Sequence, residues 1–212
     1  TLFRLLSALD THGLVRKNVR TRRYVLGPRI FAIGAKRNAV AALRRHTAPF
    51  LRRLAADIGG VAQLGSLEGS QAVIDLQVVG TDTFEYPLVA GDHVDAHATA
   101  LGKLLLAHCS EAKVNAIFRH RPLAPRTPYT VTSLELLRRD FGAIRRQRWA
   151  QEVQEYDARL SSLAAALVAP SGRVNHAIAI TTSAAVMTDN HSEILSRLNA
   201  TVEGIQKVVL KR

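Results

Sequence analysis

Gly13-Leu14-Val15-Arg16-Lys17-Asn18-Val19-Arg20-Thr21-Arg22-Arg23-Tyr24-Val25-Leu26-Gly27-Pro28 reads as two short strands joined by a charged turn, with Gly27-Pro28 closing the unit. Just upstream, Leu2, Leu5, Leu6 and Leu9 recur at spacings of 3, 1 and 3, which is one apolar stripe on a helix. The pattern predicts a helix over residues 1–12 that stops at Gly13, where a left-handed residue ends it without steric cost.

A helix followed by a small basic hairpin is the second half of a winged helix-turn-helix. In that arrangement the helix enters the major groove of DNA while the hairpin follows the backbone or minor groove, so cations at its tip neutralise phosphates. The charge distribution points the same way. Thirteen of the 29 Lys and Arg but only one of the 17 acids, Asp10, lie in the first 53 residues, which leaves 16 of each in the rest of the chain. The whole net charge of +12 therefore sits in the first quarter. A one-sided block of this kind implies a polyanion, an anionic membrane surface or a disordered tail, the alternative being a solvated basic face with no partner.

The leucines interleaved with the early charges argue against a disordered tail, because disorder requires low hydrophobicity. No apolar run reaches the roughly 18–20 residues needed to span a bilayer, and no leader pattern precedes the basic block. Cys109 is the single cysteine and cannot form an internal disulfide, which suits a reducing, cytoplasmic location. With hydrophobic residues at 47% and aromatics at 5%, any core must be mostly aliphatic.

Three blocks carry a family resemblance: Thr1-Leu2-Phe3-Arg4-Leu5-Leu6-Ser7-Ala8-Leu9 with the hairpin through Arg29, His97-Ala98-Thr99-Ala100-Leu101-Gly102-Lys103-Leu104-Leu105-Leu106-Ala107, and Pro125-Arg126-Thr127-Pro128-Tyr129-Thr130-Val131-Thr132. In that order they resemble the IclR family of bacterial transcription regulators. The resemblance implies an α+β protein: part of a winged helix-turn-helix over residues 1–27, a linker helix over 28–47, and an effector-binding and oligomerisation domain over 48–212. It implies double-stranded operator DNA, a small-molecule effector and a homo-oligomer, dimer or tetramer, as partners, with no membrane. Thr1, Arg4, Arg16, Lys17, Arg20, Arg22 and Arg23 are the candidate DNA contacts. Family members begin with further helices before the recognition helix, whereas this chain opens at or inside it, so the reading head is expected to be incomplete and weak on DNA by itself.

Downstream, Pro28 suits the first turn of a helix, and Ile30, Ile33, Val40 and Leu43 give the linker a loose apolar face. Pro49 is expected to open another helix that Gly59-Gly60 stops. Val61–Leu67 and Val73–Val79 flank a Glu68-Gly69-Ser70 turn and read as a hairpin, as do Leu163–Ala169 and Ala177–Thr182 around Ser171-Gly172. Helices are expected over about 99–107, after the capping-box pattern Thr132-Ser133-Leu134-Glu135 with Leu136, Leu137, Phe141 and Ile144 inward, and along Ile194, Leu195, Leu198, Val202, Ile205 and Val208. Helices flanking a mainly antiparallel sheet make an α+β domain, for which the family implies a GAF-like or profilin-like sensor.

Carried over from the resemblance, the effector pocket is expected among Tyr86, Ala100, Leu101, Glu152, Ser162, Ala179 and Thr181. Departures concentrate there. Ser162 stands where many relatives have cysteine, and Ala179 and Thr181 stand where they have two serines, so no relative's effector transfers directly. A small carboxylate suits the helix amino end near Ala100 and Leu101, whose amides and dipole favour an anion. Arg159 is a candidate partner for it, against the reading of an ordinary exposed arginine.

Two other function classes compete. An enzyme would need a catalytic group, and His93 and His97, flanked by Asp92 and Asp95, offer i, i+4 spacing. The stretch reads as a loop entering a strand, though, where that spacing does not bring two rings together, so these are expected to be surface or capping histidines. Cys109 lies at a helix end beside a His108 that points away, and neither a Gly-x-Ser-x-Gly elbow nor a phosphate loop is present. No catalytic residue, metal or cofactor is expected. A purely oligomerising domain could use the stripe from Ile194 to Val208, although such a stripe also suits a core.

Overall fold

A computed structural model describes residues 2–19, 21–81 and 86–209, with the side chains of 35–38 left out. The chain divides into two compact units, Thr1–Arg45 and His46–Arg212.

In the first unit, α1 spans Leu2–Thr11 and ends as the sequence predicts, with Gly13 at φ 67° and the Leu14 amide donating to the Leu9 carbonyl. Strands β1 (Val15–Lys17) and β2 (Tyr24–Leu26) pair antiparallel, Val15 opposite Leu26 and Lys17 opposite Tyr24. The turn between them is held locally: the Asn18 carboxamide oxygen accepts from the Thr21 amide at 3.0 Å, and Arg22 donates its amide to the Asn18 carbonyl from a left-handed φ of 55°. No residue of α1 is buried, and Leu2, Phe3 and Leu5 are 63–78% exposed. Of its leucine stripe, Leu6 and Leu9 are half-buried, while Leu2 and Leu5 have no covering surface among the described residues.

Helix α2 runs unbroken over Pro28–Ile58, with Pro49 inside it. This corrects the expectation of two helices. A proline in a helix interior removes one hydrogen bond and crowds the preceding turn, at about 3 kcal/mol. Here the residues after it, Leu51, Leu54 and Ala55, are fully buried, and burial of about 1.5–3 kcal/mol per large side chain offsets that cost.

Among the described residues, the second unit is built on a six-stranded antiparallel sheet. Its strands are β3 (Val61–Glu68), β4 (Gln71–Val79), β5 (His93–Asp95), β6 (Trp149–Val153), β7 (Leu160–Val168) and β8 (Val174–Ser183), in the spatial order β5-β4-β3-β8-β7-β6. The two hairpins predicted from sequence are β3–β4 and β7–β8, and they meet through the β3–β8 pairing. The short edge strands β5 and β6 extend them. Helices α3 (Ala100–Ala107), α4 (Glu111–Phe118), α5 (Leu134–Gln147), α6 (Ala184–Asp189) and α7 (His191–Val209) complete the unit.

Strand β7, Leu-Ser-Ser-Leu-Ala-Ala-Ala-Leu-Val, is buried at every position but the last, which requires cover on both faces. Alternation separates those faces. Ala164 and Ala166 of β7 and Ala177 and Ala179 of β8 belong to the core formed with Leu101, Leu104 and Leu105 of α3. The alternate residues Leu163, Leu167, Ile178 and Ile180 are also buried, on the opposite face, where α7 packs against β7 and β8. Alanines on the first face let α3 lie close to the sheet. The approach is close at Gly65 of β3, where a Cβ would come within 2.7 Å of the Leu101 side chain of α3.

Helix ends follow their caps. Thr99 accepts from the Gly102 amide to start α3, Ser110 from Lys113 to start α4, and Ser133 from Leu136 to start α5. The α5 cap is therefore Ser133 rather than the first residue of the expected box, and Glu135 instead pairs with Arg139 at 2.7 Å on the surface. In α5, Leu137, Phe141 and Ile144 are buried, whereas Leu136 is 48% exposed; the one-turn frame set by Ser133 points it outward. In α7, Ile194, Leu198, Val202 and Ile205 are core, and Val208 is exposed. No helix among the described residues is long and apolar enough to cross a membrane.

Candidate functional site

The pleat that sorts alanines to the α3 face also sets what lies beyond them. Ser162 of β7 is registered with Thr181 of β8 and with Glu152 of β6, and Gln63 of β3 is registered with Ala179, so all five side chains share that face. Where the alanines give way to these polar residues the helix no longer fills the space, and a cavity remains. Its walls include Ala72, Ile74, Leu88, Val94, Leu101 and Leu160, and its polar groups are Gln63, Tyr86, Thr99, Glu152, Tyr156, Asp157, Ser162 and Thr181. A water-sized sphere finds about 30 Å³ of room inside, enough for roughly two waters.

Two networks shape this space. Tyr86 donates its hydroxyl to Gln63 Oε1 at 3.2 Å, Gln63 Nε2 donates to Gln77 Oε1 at 2.9 Å, and Gln77 Nε2 donates to the Leu88 carbonyl at 2.7 Å. Gln63 and Gln77 are directly opposed on β3 and β4, so the pair forms an amide ladder that pins Tyr86 and Leu88 to the sheet. Burial pushes the Tyr86 hydroxyl up to about 12, against the hydrogen bonds it shares with Thr181 and Gln63. It remains a neutral donor at any physiological pH.

The second network centres on Glu152, which is 3% exposed. Its Oε1 accepts from the amides of Glu155 and Tyr156, the latter at 3.2 Å, and its Oε2 accepts from the Ser162 hydroxyl at 2.9 Å. Burial raises its pKa from the usual carboxylate range to about 7, outweighing those three hydrogen bonds, with the nearby Glu155 charge adding to the rise. Glu155 itself is buried against the Lys103 ammonium of α3 and accepts from the Val131 amide at 3.3 Å, while Thr130 donates its hydroxyl to the Glu155 carbonyl at 2.6 Å. The loop carrying Tyr156 and Asp157 is thereby fixed to α3 and to the 125–132 segment.

Six of the seven expected pocket residues, Tyr86, Leu101, Glu152, Ser162, Ala179 and Thr181, line this one cavity. Ala100 does not; it is fully buried one position before Leu101 at the start of α3. Arg159 points away, 66% exposed at its side chain, with its Nε and Nη2 gripping the Asp157 carboxylate. It is the ordinary exposed arginine, because the fork geometry is satisfied locally. Gln63, Thr99, Tyr156 and Asp157 are wall residues that the sequence reading did not name. Gln63 left a signal, a lone amide in the apolar run Val61–Leu67.

The histidine reading needs one correction. His93 is exposed on β5, but His97 is 3% exposed, with Nε2 on the Ala124 carbonyl at 3.0 Å, because the turn after β5 carries it into the core. Among the described residues no three His, Cys, Asp or Glu side chains gather to hold a metal. His108 Nδ1 meets the Leu104 carbonyl and Cys109 Sγ the Leu105 carbonyl, so the two form no pair. In the first unit, Arg4, Arg16, Lys17, Arg22 and Arg23 are exposed, with Lys17 Nζ 5.8 Å over the Tyr24 ring. Thr1 and Arg20 lie outside the described residues.

Comparisons place the chain among known proteins. The profile of the family described as bacterial transcriptional regulator IclR C-terminal matches residues 38–207. The HTH-type transcriptional regulator XynR of Escherichia coli is 28% identical over 183 residues, covering 86% of this chain and 72% of XynR. A solved IclR transcriptional regulator from Silicibacter sp. TM1040 superposes with a TM-score of 0.75 at 27% identity, over 97% of this chain and 81% of that one. An IclR homolog from Microbacterium hydrocarbonoxydans, solved in complex with 4-hydroxybenzoate, shares the fold with a TM-score of 0.74 at 19% identity, over 96% and 82% of the two chains.

Proposed function

The chain belongs to the IclR family of bacterial transcriptional regulators, whose C-terminal domain it carries over residues 38–207, and we propose that it is a ligand-responsive, DNA-binding regulator of a metabolic operon whose effector is a small organic acid. It is a regulator rather than an enzyme, as are the family and the relatives named above. The observation that carries the proposal is the cavity itself, a space at the end of an otherwise alanine-packed face, with hydroxyl and amide groups from three strands, Gln63 of β3, Ser162 of β7 and Thr181 of β8, converging on it. Pockets of this kind, apolar walls with a few placed polar groups, are built to orient a small molecule.

The acid character of the effector rests on the donors. Tyr86, Thr99, Ser162 and Thr181 supply hydroxyls, and the amino end of α3 borders the space with the dipole orientation that favours an anion. The 4-hydroxybenzoate bound by the Microbacterium protein is an acid of this kind. Operator DNA is the proposed partner of Arg4, Arg16, Lys17, Arg20, Arg22 and Arg23, and assembly into a homo-oligomer would set two such surfaces on one duplex, multiplying affinity.

A thermal-shift panel of small carboxylates, with neutral and cationic compounds of equal size, tests the effector class. A carboxylate is expected to raise the melting temperature, since a ligand that binds only the folded state stabilises it by mass action. Shifts with neutral or cationic compounds alone would overturn the reading.

A further inference from the structure

Three of the acids around the cavity are paired with cations. Asp157 is held by the Arg159 guanidinium, which keeps its pKa low, Asp95 by Arg126 at 2.9 Å, and Glu155 by Lys103. Arg126 also lies 4.2 Å over the Tyr156 ring. Among the described residues Glu152 has hydrogen-bond donors but no ion-pair partner, and the cavity walls contain no Lys, Arg or His. The groups that face it from the packed elements are Tyr86 from the segment after β4, Ser162 and Thr181 from β7 and β8, and Glu155, Tyr156 and Asp157 from its own loop. None of these brings a positive charge to the site.

A carboxylate entering this cavity meets Glu152 in its wall, and two carboxylates sharing one site cannot both stay ionised; the pair keeps one proton. We propose that Glu152 is the specificity-determining residue of this site and that it takes up one proton from solvent when a monocarboxylate binds, so that ligand and protein share a short O–H···O⁻ hydrogen bond in place of an ion pair. This rests on the reading of the cavity as an acid-binding site. Glu152 is poised for the step, since burial already holds its pKa near neutrality, at about 7. A monocarboxylate and the protonated Glu152 leave a single negative charge for the surrounding hydroxyls and amides. A dicarboxylate would bring a second charge with no cation to meet it, so the site discriminates against it.

The sign of the pH dependence follows. Below neutral pH, Glu152 in the free protein already holds the proton and affinity is flat; above it, each pH unit makes the proton harder to supply and weakens binding about tenfold. Isothermal titration calorimetry on the whole chain, with 4-hydroxybenzoate and straight-chain two- to four-carbon monocarboxylates as probes, reads this directly. Titrations at pH 7.5 and 8.5 in phosphate and in Tris, which differ in ionisation heat, are expected to show uptake of about one proton per ligand and a roughly tenfold rise in Kd. Glu152→Gln keeps an acceptor for the two loop amides and is expected to bind with a Kd independent of pH and a heat independent of buffer. A monocarboxylate that binds wild-type protein with flat Kd and buffer-independent heat overturns this inference and leaves the acid-binding reading standing. Failure of every monocarboxylate to bind overturns both. The wild-type series decides the matter even where the variant fails to fold.

Discussion

The two faces of the same sheet are built from the same strands and do different work. Toward α7, β7 and β8 present Leu163, Leu167, Ile178 and Ile180, large side chains with no polar atoms, all at most 3% exposed. Toward α3 they present Ala164, Ala166, Ala177 and Ala179, and then Ser162 and Thr181, with Glu152 beside them. Successive residues on a strand point to opposite faces, so Leu163 and Leu167 fill volume on one side while Ser162, Ala164 and Ala166 keep it open on the other. One face holds the fold together by packing. The other trades packing for a cavity and must satisfy its polar groups instead.

That division can be broken experimentally. The largest effect is expected at Lys103→Met, which leaves the buried Glu155 carboxylate without its cation; breaking a buried pair by removing one partner costs about 3–5 kcal/mol. Because Glu155 anchors the loop bearing Tyr156 and Asp157, chemical denaturation and ligand titration should both register the loss. On the other face, Ile180→Ala removes a fully buried side chain, at about 2–5 kcal/mol. A folded Ile180→Ala protein should bind ligand as wild type does. Loss of binding there would mean that the two faces are not separable.

A pH series sharpens the contrast. Glu152 holds its proton more tightly in the folded state than in the unfolded one, where its pKa is the ordinary 4.5. Stability it contributes is therefore full below that value and declines as pH rises toward about 7, by up to roughly 3 kcal/mol, before levelling. Other carboxylates titrate too, so the difference between wild type and Glu152→Gln in urea melts between pH 4.5 and 8 isolates it. The variant should grow more stable relative to wild type across that window; a constant difference would contradict the buried, unpaired carboxylate. Smallest is Ser162→Ala, which deletes one hydrogen bond to Glu152 and should cost about 1 kcal/mol. It should also move the break in the Glu152 profile upward, since that bond holds the pKa down.

Much of this was legible in the chain. Both long hairpins, the α3 helix with its Thr99 start, and six of the cavity residues follow from strand alternation, turn chemistry and family resemblance. What escaped was decided by tertiary context. Pro49 looks like a helix start because local chemistry disfavours it inside one, and only the burial of Leu51 and Leu54 beyond it carries α2 through. Strand β6 was not foreseen because Trp149–Val153 is short and has cover only once β7 pairs with it. His97 looked like a surface or capping residue, since nothing local shows that the turn after β5 dives inward. For Arg159 the sequence leaves a ligand partner beside an ordinary exposed arginine, and Asp157, two residues away, decides for the latter by holding its guanidinium. The unpaired state of Glu152 could not be read from sequence at all, because it depends on where every neighbouring cation is spent.

The proposed seat of the effector is the polar end of the α3 face. A crystal structure of the chain with a bound monocarboxylate tests it most directly. Ligand density is expected among Tyr86, Leu101, Ser162 and Thr181, with one carboxylate oxygen within about 2.7 Å of a Glu152 oxygen. Density elsewhere, for instance in the separate surface depression lined by Ser70, Asp95, His97 and Arg121, with this cavity unchanged, would contradict it.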